Sequence, residues 1–189
     1  MSQPAERKFD GLFLNPVSVL TWDTQRWWQV VGEAVRLGVQ HLLLAWTSCN
    51  GRSWYASQKV VPHPLRRTED CVALLLELAQ QAGLEVLLGT DATCPVFDSH
   101  YDPVWAALAR HQQVAEELAL RYGEQAAFCG FYLPREFDAL PDEADRTYLS
   151  GAVRACRRAR PEARVCWSIR RPVTPISGRN YQVNPEHPI

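Results

Sequence analysis

The sequence has almost no net charge, no long apolar run, no paired cysteines and no nucleotide-binding glycine loop, and each shortage removes a class of function. Twenty Lys and Arg against twenty-one Asp and Glu leave a formal net charge of -1, so no overall positive field draws the chain to nucleic acid or to anionic lipid. Its longest apolar runs, 42–46 and 72–76, fall far short of the roughly 18 residues a membrane helix needs. Residues 1–10 are polar and mixed in charge, without the apolar stretch of a secretory signal. The expectation is a cytoplasmic protein with no membrane span. Export followed by loss of the signal is the alternative.

The cysteines, Cys49, Cys71, Cys94, Cys129, Cys156 and Cys166, are spread evenly and form no CxxC or metal-ligand spacing. They read as structural thiols, mostly buried as small apolar side chains. Asp98, His100 and Asp102 alternate in one loop, and such clusters are more often turn and cap residues than ligands, so no metal is expected. A GxSxG elbow is missing, as is a cysteine beside a plausible base, which disfavours serine or cysteine nucleophiles. After the opening strand stands Asn15-Pro16-Val17-Ser18, not GxGxxG or GxxxxGK, so dinucleotide binding is not expected and no cofactor is called for. Arg154, Arg157, Arg158, Arg160 and Arg164 read as a solvated or partner-binding face.

What the sequence does hold is a repeated unit, an amphipathic helix ended by Gly and followed at once by a short apolar strand. The spacing predicts helices over 24–37 and 68–82, stopped by Gly38 and Gly83, each leading into a strand, 39–46 and 84–89. A third helix starts at Asp102-Pro103 and ends near Tyr122-Gly123 before a strand over 128–133. A fourth, over 141–159, leads into 165–169, and an opening strand covers 11–14. Strands joined by helices of this length are parallel. The fold class is therefore α/β, a parallel (β/α) repeat of about five strands. Both an open doubly wound sheet and an incomplete TIM-like barrel fit it. The organisation reads as a polar N-terminal segment (1–10), a partial (β/α) barrel (11–169) and a Pro-containing C-terminal tail (170–189).

In parallel α/β folds chemistry gathers at the C-terminal ends of the strands. The residues expected there are aromatic and acidic: Trp46, Asn50, Trp54, Asp91, Tyr132, Arg135, Glu136, Asp138 and Trp167. Rings beside carboxylates and amides suit sugars, which offer a C–H face to stack on and a rim of hydroxyls to bond. Core packing is the other reading of the tryptophans, and it is the one expected for Trp27 and Trp28. Glu136 follows an apolar strand and the helix-incompatible Pro134, which puts a carboxyl at the mouth of the fourth strand. Desolvated by Tyr132 and its neighbours, such an acid could protonate a leaving glycosidic oxygen. A loop Glu paired with an Arg is the plainer alternative.

The segment Gly130-Phe131-Tyr132-Leu133-Pro134-Arg135-Glu136-Phe137-Asp138 resembles the signature of a bacterial family of unknown function, number 4434, similar to TIM-barrel glycoside hydrolases. The opening Gly11-Leu12-Phe13-Leu14, Trp27, Leu37-Gly38-Val39-Gln40, Leu44-Ala45-Trp46-Thr47, the run over 82–89 and Arg121-Tyr122-Gly123 agree with it in order. The resemblance implies a TIM-barrel scaffold. By similarity to clan A retaining glycosidases, it also implies a general acid/base at the end of strand four, the position of Glu136. Those enzymes carry Asn before the acid, where this chain has Arg135, and take a nucleophile from a seventh strand that five strands do not supply. Asp91, at the end of the neighbouring strand, is the candidate second carboxylate, since strands lie about 4.8 Å apart, which allows either the roughly 5–5.5 Å of retaining carboxyls or the roughly 6.5–9.5 Å of inverting ones. Trp46, Asn50, Trp54, Tyr132, Arg135, Asp138 and Trp167 are the candidate substrate contacts. The implied partner is a carbohydrate, a bacterial poly- or oligosaccharide. The alternative is a partial barrel that binds glycan or protein without turnover. An incomplete barrel also leaves edges and one apolar face for a homodimer, another chain or further sequence to cover.

Overall fold

The computed structural model describes residues 10–19, 21–49, 51–64, 70–92, 103–138 and 142–170, with the backbone alone at 136–138 and 169–170. Its elements run β1 (Gly11–Leu14), α1 (Pro16–Val19), α2 (Thr24–Arg36), β2 (His41–Leu44), β3 (Ser48–Cys49), β4 (Arg52–Ser53), β5 (Val61–Pro62) and α3 (Cys71–Gln81). There follow β6 (Glu85–Gly89), β7 (Asp91–Ala92), α4 (Val104–Tyr122), β8 (Phe128–Asp138), α5 (Glu143–Ala159) and β9 (Arg164–Arg170).

The helix boundaries follow from capping chemistry. Asp23, Asp70 and Asp142 each accept a hydrogen bond from the backbone N–H three residues on, which satisfies a donor that the first turn leaves orphaned. Gly38 and Gly83 take φ of 75° and 69°, the left-handed conformation that ends a helix without a Cβ penalty. The following residues complete the motif: Val39 donates to the Ala34 carbonyl at 3.0 Å and Leu84 to that of Ala79 at 2.8 Å. Each glycine thus ends a helix and aims the chain into the next strand. The helix expected from 68 begins at Cys71, because Asp70 caps it, and the one expected from 141 begins at Glu143 for the same reason. The third starts at Val104 with Pro103 at its cap and no side-chain bond, while Asp102 lies outside the described residues.

Five strands form one parallel sheet in the order β1-β2-β6-β8-β9. This order decides between the two architectures open at the level of sequence. A doubly wound sheet reverses direction at a switch point. Here each strand adds beside the last, and with right-handed crossovers that puts the helices on one face. The sheet also curls. Phe13 of β1 meets Tyr132 of β8 edge to face at 5.6 Å, although β2 and β6 stand between them and three flat strand spacings would come to roughly 14 Å. The fold is a parallel, TIM-barrel-like sheet of five strands that does not close. The core fills the space between sheet and helices, with Leu42, Leu44, Leu75, Leu88, Leu118, Phe128 and Phe131 fully buried.

A second small sheet, β5-β4-β3-β7, caps the C-terminal end. Two-residue strands carry no periodicity, so the sequence did not announce it. Cys49, Cys71, Cys129, Cys156 and Cys166 form no disulfide among the described residues, and three of them are buried. Trp27 is core at 1% exposed, whereas Trp28, expected to pack, is half-exposed because it falls outside the buried stripe of Trp27, Val31 and Ala34. Among the described residues, no helix is long and apolar enough to cross a membrane.

Candidate functional site

The C-terminal ends of the strands are tied together by polar groups that burial obliges to pair. Thr47, just past β2, donates both its N–H (2.8 Å) and its hydroxyl (2.7 Å) to the Gly89 carbonyl at the end of β6. Thr90 donates its N–H to the Tyr132 carbonyl of β8 at 3.1 Å, and its hydroxyl meets His111 Nδ1 of α4 at 2.6 Å. His111 Nε2 lies 3.2 Å from the Ala152 carbonyl of α5. Burial drives the His111 pKa down to about 4, opposed by the bond to Ala152, so the ring is neutral at ordinary pH.

Asp91 follows directly and turns toward α4. Ser48 donates to its Oδ1 at 2.8 Å and Arg110 Nε to its Oδ2 at 3.0 Å, with the carboxylate itself 4% exposed. Tyr148 of α5 is held near the same group. Its hydroxyl pKa is pushed up to about 12, first by burial and then by the charge of Asp91, with Arg135 and Arg110 pulling the other way. Arg135 bonds Asp145 at 2.7 Å and lays its guanidinium over the Tyr148 ring at 5.0 Å. Asp91, Arg110, Arg135 and Tyr148 therefore form one electrostatic group. Tyr148 was not among the residues singled out in the sequence, where it falls inside the helix expected over 141–159.

Tyr132 belongs to the other, concave face. Its hydroxyl lies 2.6 Å from Ser168 Oγ of β9, and its ring edge meets Phe13. Trp46 is partly buried beside the core, and among the described residues its indole N–H has no acceptor. Two expected contacts go elsewhere. Trp54 is 3% exposed, packed edge to face on His63 at 4.5 Å, and belongs to the core. Trp167 is the register partner of Leu133, so strand alternation puts it on the helix-bearing face, opposite Tyr132. Asn50 lies outside the described residues.

Glu136 and Asp138 stand on β8, and the backbone there departs from expectation. The strand runs on to Asp138, past the expected end at Leu133. Between the pairs Leu133↔Trp167 and Phe137↔Ile169 the register shifts, β8 taking four steps where β9 takes two. Pro134 has no N–H for the ladder, so Pro134, Arg135 and Glu136 make a bulge. Bulges recur beside active sites because they re-aim a side chain. The side chains of 136 and 138 lie outside the described set. No cluster of three or more His, Cys, Asp and Glu suited to a metal occurs among the described residues.

Residues 9–165 match the family described as a domain of unknown function, DUF4434. The chain belongs to that family. A comparison of the DUF4434 sequence with curated proteins finds no match. Its fold is similar to a candidate alpha-L-fucosidase from Bacteroides thetaiotaomicron VPI-5482, with a TM-score of 0.73 at 16% identity, over 89% of this chain and 55% of that one. It is also similar to a beta-D-glucuronidase of Dictyoglomus thermophilum, at TM-score 0.55 and 14% identity, over 84% of this chain and 25% of that one. An endocellulase from Pyrococcus horikoshii gives 0.54 and 14%, over 83% of this chain and 50% of that one. The DUF4434 chain thus spans from a quarter to about half of these structures. At such identities the likeness establishes the barrel-like fold.

Proposed function

We propose that this DUF4434 protein is a carbohydrate-active enzyme of the glycoside-hydrolase type, acting on a poly- or oligosaccharide with Glu136 as general acid/base. One observation carries the reading: the bulge at the C-terminal end of β8, fourth strand of a singly wound sheet, contains Glu136. A bulge frees a carboxyl from the alternation that would otherwise fix its face. The names of the similar structures, a fucosidase, a glucuronidase and an endocellulase, agree with the substrate class. Asp91 is the second carboxylate in this proposal, held as a hydrogen-bond acceptor by Ser48 and Arg110. Trp46, Tyr132, Arg135 and Asp138 supply contacts at the rim.

The experiment is turnover on aryl fucosides, aryl glucuronides and cello-oligosaccharides. Glu136→Gln keeps the shape but cannot transfer the proton, and is expected to lower kcat by roughly 10²–10⁴ on whichever substrate is cleaved. Unchanged kcat in that variant removes the assignment.

A second reading, glycan binding without turnover, draws on Arg135. Its guanidinium is bonded to Asp145 and stacked on Tyr148, where the resemblance calls for an amide. Saturable binding that survives Glu136→Gln, with no cleavage in the wild type, selects this reading. In both, the concave face and the edge strands β1 and β9 are covered by a second copy, another chain or further sequence of the same protein, and a solution mass measurement separates the first of these from a monomer.

A further inference from the structure

Arg135 precedes Glu136 in the bulge of β8, and a guanidinium beside a carboxyl favours its ionised form, the opposite of what a general acid needs. Two side chains of α5 draw that charge away. Arg135 Nη2 donates to Asp145 Oδ1 at 2.7 Å, and the guanidinium carbon stands 5.0 Å over the centre of the Tyr148 ring. Only 28% of the Arg135 side chain and 16% of that of Asp145 are exposed, so the charge-assisted bond is partly sheltered from water. Asp145 lies in the first turn of α5, where the positive end of the helix favours a carboxylate, and its own N–H is bonded to Asp142. Tyr148 follows three residues on, on the same side of the helix, and is buried.

The same contacts bear on direction. Leu133, in register with Trp167, belongs to the helix-bearing face, and Phe137, in register with Ile169, returns to it. Arg135 lies between them and meets α5, so that face is kept through the bulge. We propose that Asp145 and Tyr148 are positioning residues, which hold Arg135 against α5 and thereby set the bulge so that Glu136 takes the concave face with its proton kept. The inference rests on the reading of Glu136 as general acid/base. A bulge leaves the face of its members open, and the clamp on Arg135 removes that freedom for the residue that follows. Asp145 also balances the charge of Arg135. Arg110 and Asp91 are the other charged groups that act on Tyr148, and the variants below leave them intact.

Two measurements on the full chain test it: kinetics on whichever aryl glycoside or cello-oligosaccharide is cleaved, and amide hydrogen exchange over 135–138. Asp145→Asn keeps the shape and removes the charge. It is expected to lower kcat about tenfold with KM changed less than twofold, and to move the alkaline limb of the pH profile down by about 0.5 unit as Arg135 loses its counter-charge. Exchange over 135–138 should rise about fivefold. Glu143→Gln, an exposed carboxylate in the same helical turn, removes an equal charge from the helix end without touching Arg135, and both readouts should stay as in wild type. If Asp145 acts through Arg135, adding Asp145→Asn to Arg135→Gln changes kcat less than twofold further. Equal effects of Asp145→Asn and Glu143→Gln, a full tenfold loss on top of Arg135→Gln, or an unchanged kcat in Asp145→Asn while Glu136→Gln loses turnover each overturns the proposal and leaves the acid standing. Unaltered exchange in Asp145→Asn overturns it even where no substrate is cleaved. The glycosidase reading fails separately, through unchanged turnover in Glu136→Gln.

Discussion

At the C-terminal ends of the strands Thr47, Ser48, Thr90 and His111 are at most 1% exposed, whereas at the N-terminal ends His41, Glu85 and Arg164 are 33%, 42% and 57% exposed. Both groups join neighbouring strands, but the physics differs. The upper groups lost water on folding and must find protein partners, so each geometry is fixed by the cost of leaving a donor unmet. The lower groups keep water and are screened, so the 2.9 Å contact of His41 with Glu85 and the 2.6 Å ion pair of Arg164 with Glu85 contribute little. In barrel-like folds the upper end carries chemistry. Here it is also where rigid polar placement is built.

The largest test of that contrast lies at Glu117 of α4, 5% exposed beneath the small sheet. It accepts from Tyr55 (2.9 Å), Ser57 (2.6 Å) and the Gln58 backbone (2.7 Å), and so anchors the loop between β4 and β5. Its charge and the burial of the ring raise the Tyr55 pKa, burial most of all. Glu117→Ala leaves the buried Tyr55 hydroxyl and two part-buried donors unmet and is expected to lower stability by about 4 kcal/mol, roughly 8–16 °C in Tm for a chain of this size. Calorimetry showing a loss under 1 kcal/mol breaks the claim that the upper end is held by obligate pairing.

His111 gives a smaller effect with a definite pH signature. Its folded pKa of about 4 lies below the ordinary 6.5, so the unfolded chain binds a proton that the folded chain refuses. The stability this neutral ring contributes is full above pH 6.5 and is lost as pH falls toward 4, roughly 3 kcal/mol in all. Urea unfolding at a series of pH values checks it. His111→Gln should flatten the profile over that window, and an equal slope in variant and wild type assigns the loss to other groups.

The legible parts of this molecule are those that local chemistry fixes. Gly38 and Gly83 announce helix ends because capping needs nothing beyond the next few residues. The five main strands follow as apolar runs between those caps. The small sheet was not legible, since Ser48–Cys49 and Asp91–Ala92 are strands only because each finds the other. Asp91 could be named as an acid at a strand end. Its turn toward Arg110 could not, because that depends on which face α4 presents. Trp54 and Trp167 show the same limit: composition marks an aromatic ring, but register and a hairpin decide whether it faces a rim, the core or the outer layer. Pro134 was read as the end of a strand, whereas β9 continues alongside and turns the interruption into a bulge.

The smallest expected effect is at the lower end, and it sharpens the comparison by its size. Arg164 reaches Glu85 at 2.6 Å and His41 at 3.2 Å, spanning from β9 toward β2 across the concave face. With 57% of its side chain exposed, the pairing energy is shared with water and salt. Arg164→Ala is therefore expected to cost about 0.5 kcal/mol, and the difference from wild type should vanish near 1 M NaCl, where the screening length is roughly 3 Å. Denaturant melts at low and high salt measure it. A loss of several kcal/mol that salt leaves intact means that the curled sheet depends on this clasp at its base, and that the two ends are held by the same kind of interaction after all.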